Sequence, residues 1–346
     1  MSGLIDPKLA GSVLMFGFRG GTLNDPETST DIAELKRLHP RGVILFDHDI
    51  AGNHPRNIHN PKQLNKLIGD LRHELGEELV IGIDQEGGAV ARLREDNGFL
   101  PTVSAEDFAS MLEMDQIQYS DRQARQLREL GIDLNFAPCV DLSIDPSSPI
   151  IAGRGRSFGV DVQEAARCAG VVIAAHERHG VRCCIKHFPG HGSALLDSHM
   201  GLTDITRVHQ PEELQIFQAL VEQYNTRVAV MSGHLVNTTI DPDLPASLSP
   251  AHTTGVLRDR LGFDGVVVTD SLDMRAIRDR LGEGQASVLA IEAGADLILD
   301  GLNAPGYREP GGATRITQGL RQHGNEEEII AASRRLDRFF SPIQSA

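Results

Sequence analysis

The sequence is short of basic charge. Lysine and arginine number 33 against 48 aspartates and glutamates, a formal net charge of -15 over 346 residues. A general nucleic-acid binder needs a concentrated cationic footprint, so that class is disfavoured. Cysteine is scarce as well. Cys139, Cys168, Cys183 and Cys184 have neither zinc-knuckle nor redox CxxC spacing. Cys183 and Cys184 sit side by side in an apolar run and should point to opposite sides of a strand as buried thiols. Free thiols fit a reducing compartment. No run reaches the roughly 18 to 20 apolar residues that span a bilayer. The opening MSGLIDPKLAGSVLMFGFRG has no basic segment leading into an apolar core and a small-residue cleavage site. The expected location is therefore the cytoplasm. Nucleotide fingerprints are missing too. No Gly-x-Gly-x-x-Gly follows the first apolar run, and Gly17 to Gly21 lack the lysine and spacing of a phosphate loop.

What is present is regular. Apolar residues make up 40% and charged residues 23%, enough for a large core and too apolar for wholesale disorder. Eight β-rich runs recur: Ser12 to Phe18, Gly42 to Asp47, Leu79 to Gln85, Asp133 to Pro138, Arg182 to Phe188, Arg227 to His234, Phe263 to Asp270 and Ala295 to Gly301. They are apolar without strict alternation, as parallel strands covered on both faces should be. Most of the stretches between them carry helical stripes. Leu64, Leu67, Ile68 and Leu71 form one. Val162, Ala165, Ala166, Ala169, Val172 and Ile173 form another, and Leu214, Phe217 and Leu220 a third. A final helix from about Glu326 to Phe340 can cover the last strand, with Glu326 to Glu328 as its first turn. The expectation is one α/β domain over residues 1–346, a (β/α)8 TIM-type barrel with local irregularities. An open doubly wound sheet is the alternative, but closure removes its edge strands.

Polar clusters gather at the C-terminal ends of these strands, the face where barrel active sites lie. Asp84 to Gly88 follow strand three, Lys186 to Gly192 strand five, His234 strand six, and Thr269 to Ser271 strand seven. Asp270 is the sharpest candidate. A carboxylate on a rigid strand end can attack an anomeric carbon, or it can simply cap the next helix. Asp273 belongs by spacing to that helix. Asp197 and His199 lie two apart, so the carboxylate can orient the ring for proton transfer or make only a loop hydrogen bond. Lys186 and His187 can bind sugar hydroxyls, or serve as an ion pair and a core histidine. Asp84 can accept two hydroxyl protons, and Glu86 can equally be the acid. Arg154 and Arg156 flank Gly155; either can clamp a ligand or close a salt bridge across a loop. Pro189, Gly190 and Gly192 shape a tight loop that His191 can brace.

The blocks GVILF, IDQEGGAVARL, DLNFAPCVDL, GRSFG, KHFPGHGSALLDSH and GFDGVVVTDSLDM, in this order, cover most of the chain. Together they resemble glycoside hydrolase family 3, in its single-barrel β-N-acetylglucosaminidase branch. The resemblance implies Asp270 as nucleophile, His199 as acid/base and Asp197 as its partner. It implies Asp84, Lys186, His187 and Arg156 as sugar-binding residues. It also implies a retaining exo-hydrolase of terminal β-linked N-acetylglucosamine in peptidoglycan fragments or chitooligosaccharides, working without metal or organic cofactor. Two places depart from the family pattern. Asp47-His48-Asp49 stand where Arg-Asn is usual, and two arginines surround Gly155 where one is usual. Competing readings are another exo-glycosidase specificity, including β-glucosidase or phosphorylase, and a catalytically inactive glycan-binding protein. A third is a metal-dependent hydrolase using His187, His191, His199, His234 and Asp270.

Overall fold

The computed structural model describes residues 4–50, 52–196, 201–303 and 311–342. All eight expected strands form, each trimmed to its buried centre or equal to it. They are β1 Leu14–Phe16, β2 Gly42–Leu45, β3 Val80–Ile83, β4 Leu134–Asn135, β5 Arg182–Phe188, β6 Ala229–Ser232, β7 Val266–Thr269 and β8 Ile298–Asp300. Every pairing between them is parallel, in the order β7-β6-β5-β4-β3-β2-β1-β8. A parallel bridge between Val268 and Leu297 joins β7 to β8. Chain order with first and last strands paired is the topology of a closed (β/α)8 barrel, and it rules out the doubly wound alternative, whose order must reverse.

Helices α1 Pro26–Leu38, α2 Pro61–Leu75, α3 Glu113–Leu130, α4 Val162–Arg178, α5 Pro211–Tyr224, α6 Ala251–Arg260, α7 Glu283–Ala293 and α8 Gly312–His323 follow the strands in turn, and α9 Glu326–Phe340 ends the fold. The apolar stripes face the sheet. Leu64, Leu67, Ile68 and Leu71 of α2 are all buried, as are Phe217 and Leu220 of α5. Starts are chemically marked. Asn60 and Asp161 accept from the backbone N–H of Gln63 and Glu164, and Pro26, Pro61 and Pro211 occupy first turns, where a missing N–H costs nothing. Helix α9 packs on α7 and strand β7, where the sequence suggested β8. No helix among the described residues is long and apolar enough to cross a membrane.

Two strand glycines make room for large neighbours. A Cβ on Gly82 would stand 2.9 Å from the Phe136 ring, and one on Gly42 would lie 2.7 Å from the Met15 methyl. These glycines leave the volume that two large side chains occupy. All four cysteines are buried free thiols. One extra feature interrupts the repeat after β2. A short antiparallel hairpin pairs His48 with Pro55 and Asp49 with His54. It returns the chain to its origin, since Arg56 N–H donates to Asp47 O at 3.0 Å and Asn57 N–H to Phe46 O at 2.9 Å.

Candidate active site

That hairpin resolves the first departure noted in the sequence. The Arg-Asn pair is present as Arg56-Asn57, displaced along the chain but returned in space to the end of β2. Arg56 is fully buried and donates to three carbonyls, Phe18 O at 2.8 Å, Gly301 O at 2.9 Å and Leu302 O at 3.1 Å. It ties together the loops that follow β1 and β8. Burial pulls its pKa down to about 10, partly offset by Asp49.

The C-terminal ends of the strands enclose a cavity of about 300 Å³. Asp84, Glu86, Arg154, Arg156, Lys186, His187 and Asp270 all line it. The residues picked from separate sequence blocks therefore meet, with Asp197 and His199 outside the described residues. Lys186 is 3% exposed and stands between two carboxylates, its Nζ 2.7 Å from Asp84 Oδ1 and 2.7 Å from Glu86 Oε1. Arg156 grips Glu86 with both arms, at 2.8 and 2.7 Å. Burial alone would favour neutral carboxyls. Arg156 and Lys186 outweigh it at Glu86 and hold that carboxyl far below the usual range; Lys186 and Arg92 do the same, less strongly, for Asp84. Glu86 is thus engaged by two cations at once, an arrangement that argues against the reading of it as proton donor.

Adjacent residues on a regular strand face opposite ways. Lys186 and His187 nevertheless both line the cavity. The register between β5 and β6 steps here: Met231 lies opposite Lys186 and Ser232 opposite Phe188, so His187 is the extra residue of a bulge. A bulge re-aims its side chain. The His187 ring is then fixed from behind by Asp141, whose Oδ2 lies 2.6 Å from Nδ1. Asp141 also accepts from the His187 and His191 backbone N–H groups. It is wholly buried; His187 and His191 overcome the cost of burial and keep its carboxyl down at about 2. Sequence reading missed Asp141. Its place in VDL after β4 is at a strand end, the one feature that could have found it.

Asp270 sits one residue beyond β7, half-buried, its N–H donating to Ser232 O at 2.9 Å. Its Oδ1 accepts from Ser271 N–H at 2.8 Å, a local bond that orients the carboxylate. It does not cap a helix, because the next one begins only at Arg275. Asp273 also precedes that helix, in contrast to its expected place upon it. There it is buried and accepts from the Ser271 hydroxyl at 2.6 Å. His191 is buried in the KHFPGHG loop, its backbone N–H donating to Asp141 and its ring edge-on to His187; burial lowers its pKa to about 4 despite Asp141. Gly192 is held against the Leu142 backbone, where any side chain would collide.

His234 does not join this cavity wall. Its ring lies 2.7 Å from the Ser247 hydroxyl and 2.9 Å from Ser271 O, and it ties β6 to the turn after β7. Among the described residues, His187, His191, His234 and Asp270 do not form one ligand group, and His199 lies outside those residues. Among the described residues the metal-type group is Cys139, Asp141 and His187, with ligand atoms within 4.8 Å of one another. Burial, reinforced by Asp141, pushes the Cys139 thiol well up. A protonated thiol beside an engaged Asp–His pair fits a hydrogen-bond chain better than a metal centre.

The sequence pattern of the glycosyl hydrolase family 3 N-terminal domain matches residues 19–335. The chain belongs to glycosyl hydrolase family 3. Within the family its relatives carry the name β-hexosaminidase. The one from Mannheimia succiniciproducens is 34% identical over 330 residues, 92% of this chain and 88% of that protein. A family 3 β-N-acetylglucosaminidase structure from Paenibacillus sp. str. FPU-7 superposes with a TM-score of 0.83 at 32% identity, over 99% of this chain. This chain spans 64% of that longer protein. The β-N-acetylhexosaminidase of Beutenbergia cavernae shares the fold, with a TM-score of 0.84 at 24% identity, over 98% of this chain and 99% of that one.

Proposed function

We propose that residues 1–346 act as one catalytic domain, a retaining exo-β-N-acetylglucosaminidase. The observation that carries the reading is the convergence of Asp270 with a charge-locked Asp84–Lys186–Glu86–Arg156 network in one strand-end cavity. Asp270 attacks the anomeric carbon, the glycosidic bond breaks, and His199 gives its proton to the departing oxygen. A glycosyl ester on Asp270 results. His199, oriented by Asp197, then takes a proton from water, which displaces Asp270, and two inversions leave the sugar's configuration unchanged. A loop histidine suits this role because the strand-borne rival, Glu86, is already engaged by Arg156 and Lys186.

Asp84, Lys186 and Arg156 supply fixed charges for the sugar hydroxyls, and His187 a ring nitrogen oriented by Asp141. Their geometry is set before substrate arrives, so little reorganisation is spent at the transition state. The name of the Paenibacillus protein, a β-N-acetylglucosaminidase, favours N-acetylglucosamine over glucose, and the proposed source is a peptidoglycan fragment or chitooligosaccharide. Four buried free thiols support a cytoplasmic site of action. The test is a product assay on defined N-acetylglucosamine-terminated glycans, with the first-formed anomer read by NMR. Release of the β-anomer of N-acetylglucosamine is expected. First release of the α-anomer defeats retention, and preferred cleavage of glucosides defeats the specificity.

A further inference from the structure

The second departure in the sequence was a doubled arginine, and the structure separates the two. Gly155 takes a left-handed conformation (φ 60°) between them, with the turn pinned by Arg156 N–H donating to Ile151 O. Arg156 is thereby turned inward onto Glu86, while Arg154 stays exposed on the cavity wall. The other cations of this wall are each matched. Lys186 meets Asp84 and Glu86, Arg156 meets Glu86, and Arg92 meets Asp84 and Asp47. Among the described residues, the Arg154 guanidinium has no carboxylate or carbonyl partner at hydrogen-bonding distance. Among the described residues it is the one lysine or arginine of the cavity wall without such a partner, and it is the exposed one, which puts it at the cavity's mouth.

We propose that Arg154 is a specificity-determining residue on the leaving-group side, and that it receives a carboxylate carried by the departing half of the substrate. The inference rests on the exo-glycosidase reading above. If the terminal sugar fills the buried end of the cavity, the leaving group must pass through the mouth, beside Arg154. The apolar neighbours at this mouth, Ile50 (50% exposed) and Ala89, offer no competing hydrogen bond through their side chains. A guanidinium fork suits a carboxylate in two-point contact. The protein's net charge of -15 works against anions at long range, so the effect is a contact effect and not general attraction.

The test uses two N-acetyl-β-glucosaminides with matched phenol leaving groups, 4-(carboxymethyl)phenyl and 4-(carbamoylmethyl)phenyl. The methylene insulates the phenol, so the two differ in charge and hardly in leaving ability. At low ionic strength the intact protein should favour the carboxylate in kcat/KM by roughly two- to five-fold, the range of an exposed ion pair. The ratio should fall towards one in Arg154→Ala, survive in part in Arg154→Lys, invert in Arg154→Glu, and shrink with added salt. A ratio of one in the unaltered protein, or the same ratio in Arg154→Ala, overturns the proposal. Failure of the unaltered protein to cleave either compound defeats the glycosidase reading itself, a distinct result.

Discussion

Replacing Lys186 with methionine removes the cation that two buried carboxylates share. Its Nζ lies 2.7 Å from both Asp84 and Glu86, and the side chains are 3, 15 and 5% exposed, so solvent screens little of the interaction. Breaking a buried pair strands its partner and costs about 3 to 5 kcal/mol. Arg156 still holds Glu86, and Arg92 stays 3.4 Å from Asp84, which puts the expected loss near the lower end, about 3 kcal/mol at neutral pH. The pH dependence identifies the cause. Both carboxyls are depressed in the folded protein, so their contribution is present above the unfolded carboxylate pKa values, about 3.9 and 4.3, and is lost as pH falls below them. Without Lys186 the folded Asp84 pKa rises, and the variant loses less on acidification than the parent. Urea unfolding followed by circular dichroism from pH 7 down to pH 3.5 measures this. The gap between parent and variant should be widest at pH 7 and narrow steadily with acid. A gap of constant size, or one below about 1 kcal/mol at pH 7, would refute the electrostatic account of this site.

Asp270→Ala should form no covalent sugar adduct with a slow 2-fluoro-type glycosyl donor, as read by intact-protein mass; an adduct of unchanged yield removes Asp270 as nucleophile. His199→Ala should lose most activity on substrates with poor leaving groups, and added azide should restore turnover with a good one and yield a glycosyl azide. An equal loss on all leaving groups would speak against proton transfer by His199. Asp141→Asn weakens the acceptor behind His187 Nδ1. A loss of about 1 to 3 kcal/mol, roughly five- to 150-fold in kcat/KM, is expected, together with a shifted pH profile. A fall in stability with an unchanged profile would assign Asp141 to folding alone.

The periodic features of the fold were readable in the chain. Burial on both faces gives parallel strands continuous apolar runs, and a helix lying on a sheet shows its stripe at three- and four-residue steps. Placing Asp84, Lys186 and Asp270 on one face needed only the rule that barrel sites gather at strand ends. Pairing lay beyond such reasoning. Whether Glu86 is an acid or a fixed anion depends on Arg156, 70 positions away, and Lys186 meets Asp84 across 102. The Arg56-Asn57 pair looked absent because a hairpin separates it from β2 in sequence and returns it in space.

By itself the sequence determined the order and number of strands, the helices between them, and the strand ends from which side chains reach the cavity, since these follow from local periodicity and strand direction. Only the tertiary structure decided which of those side chains neutralise one another. It turned Arg156 inward and left Arg154 at the mouth, bulged β5 so that neighbours Lys186 and His187 serve one cavity, and set Asp141 behind His187. The physical reason is range: hydrogen bonding and charge pairing act over a few ångströms, and barrel closure alone brings distant residues that near.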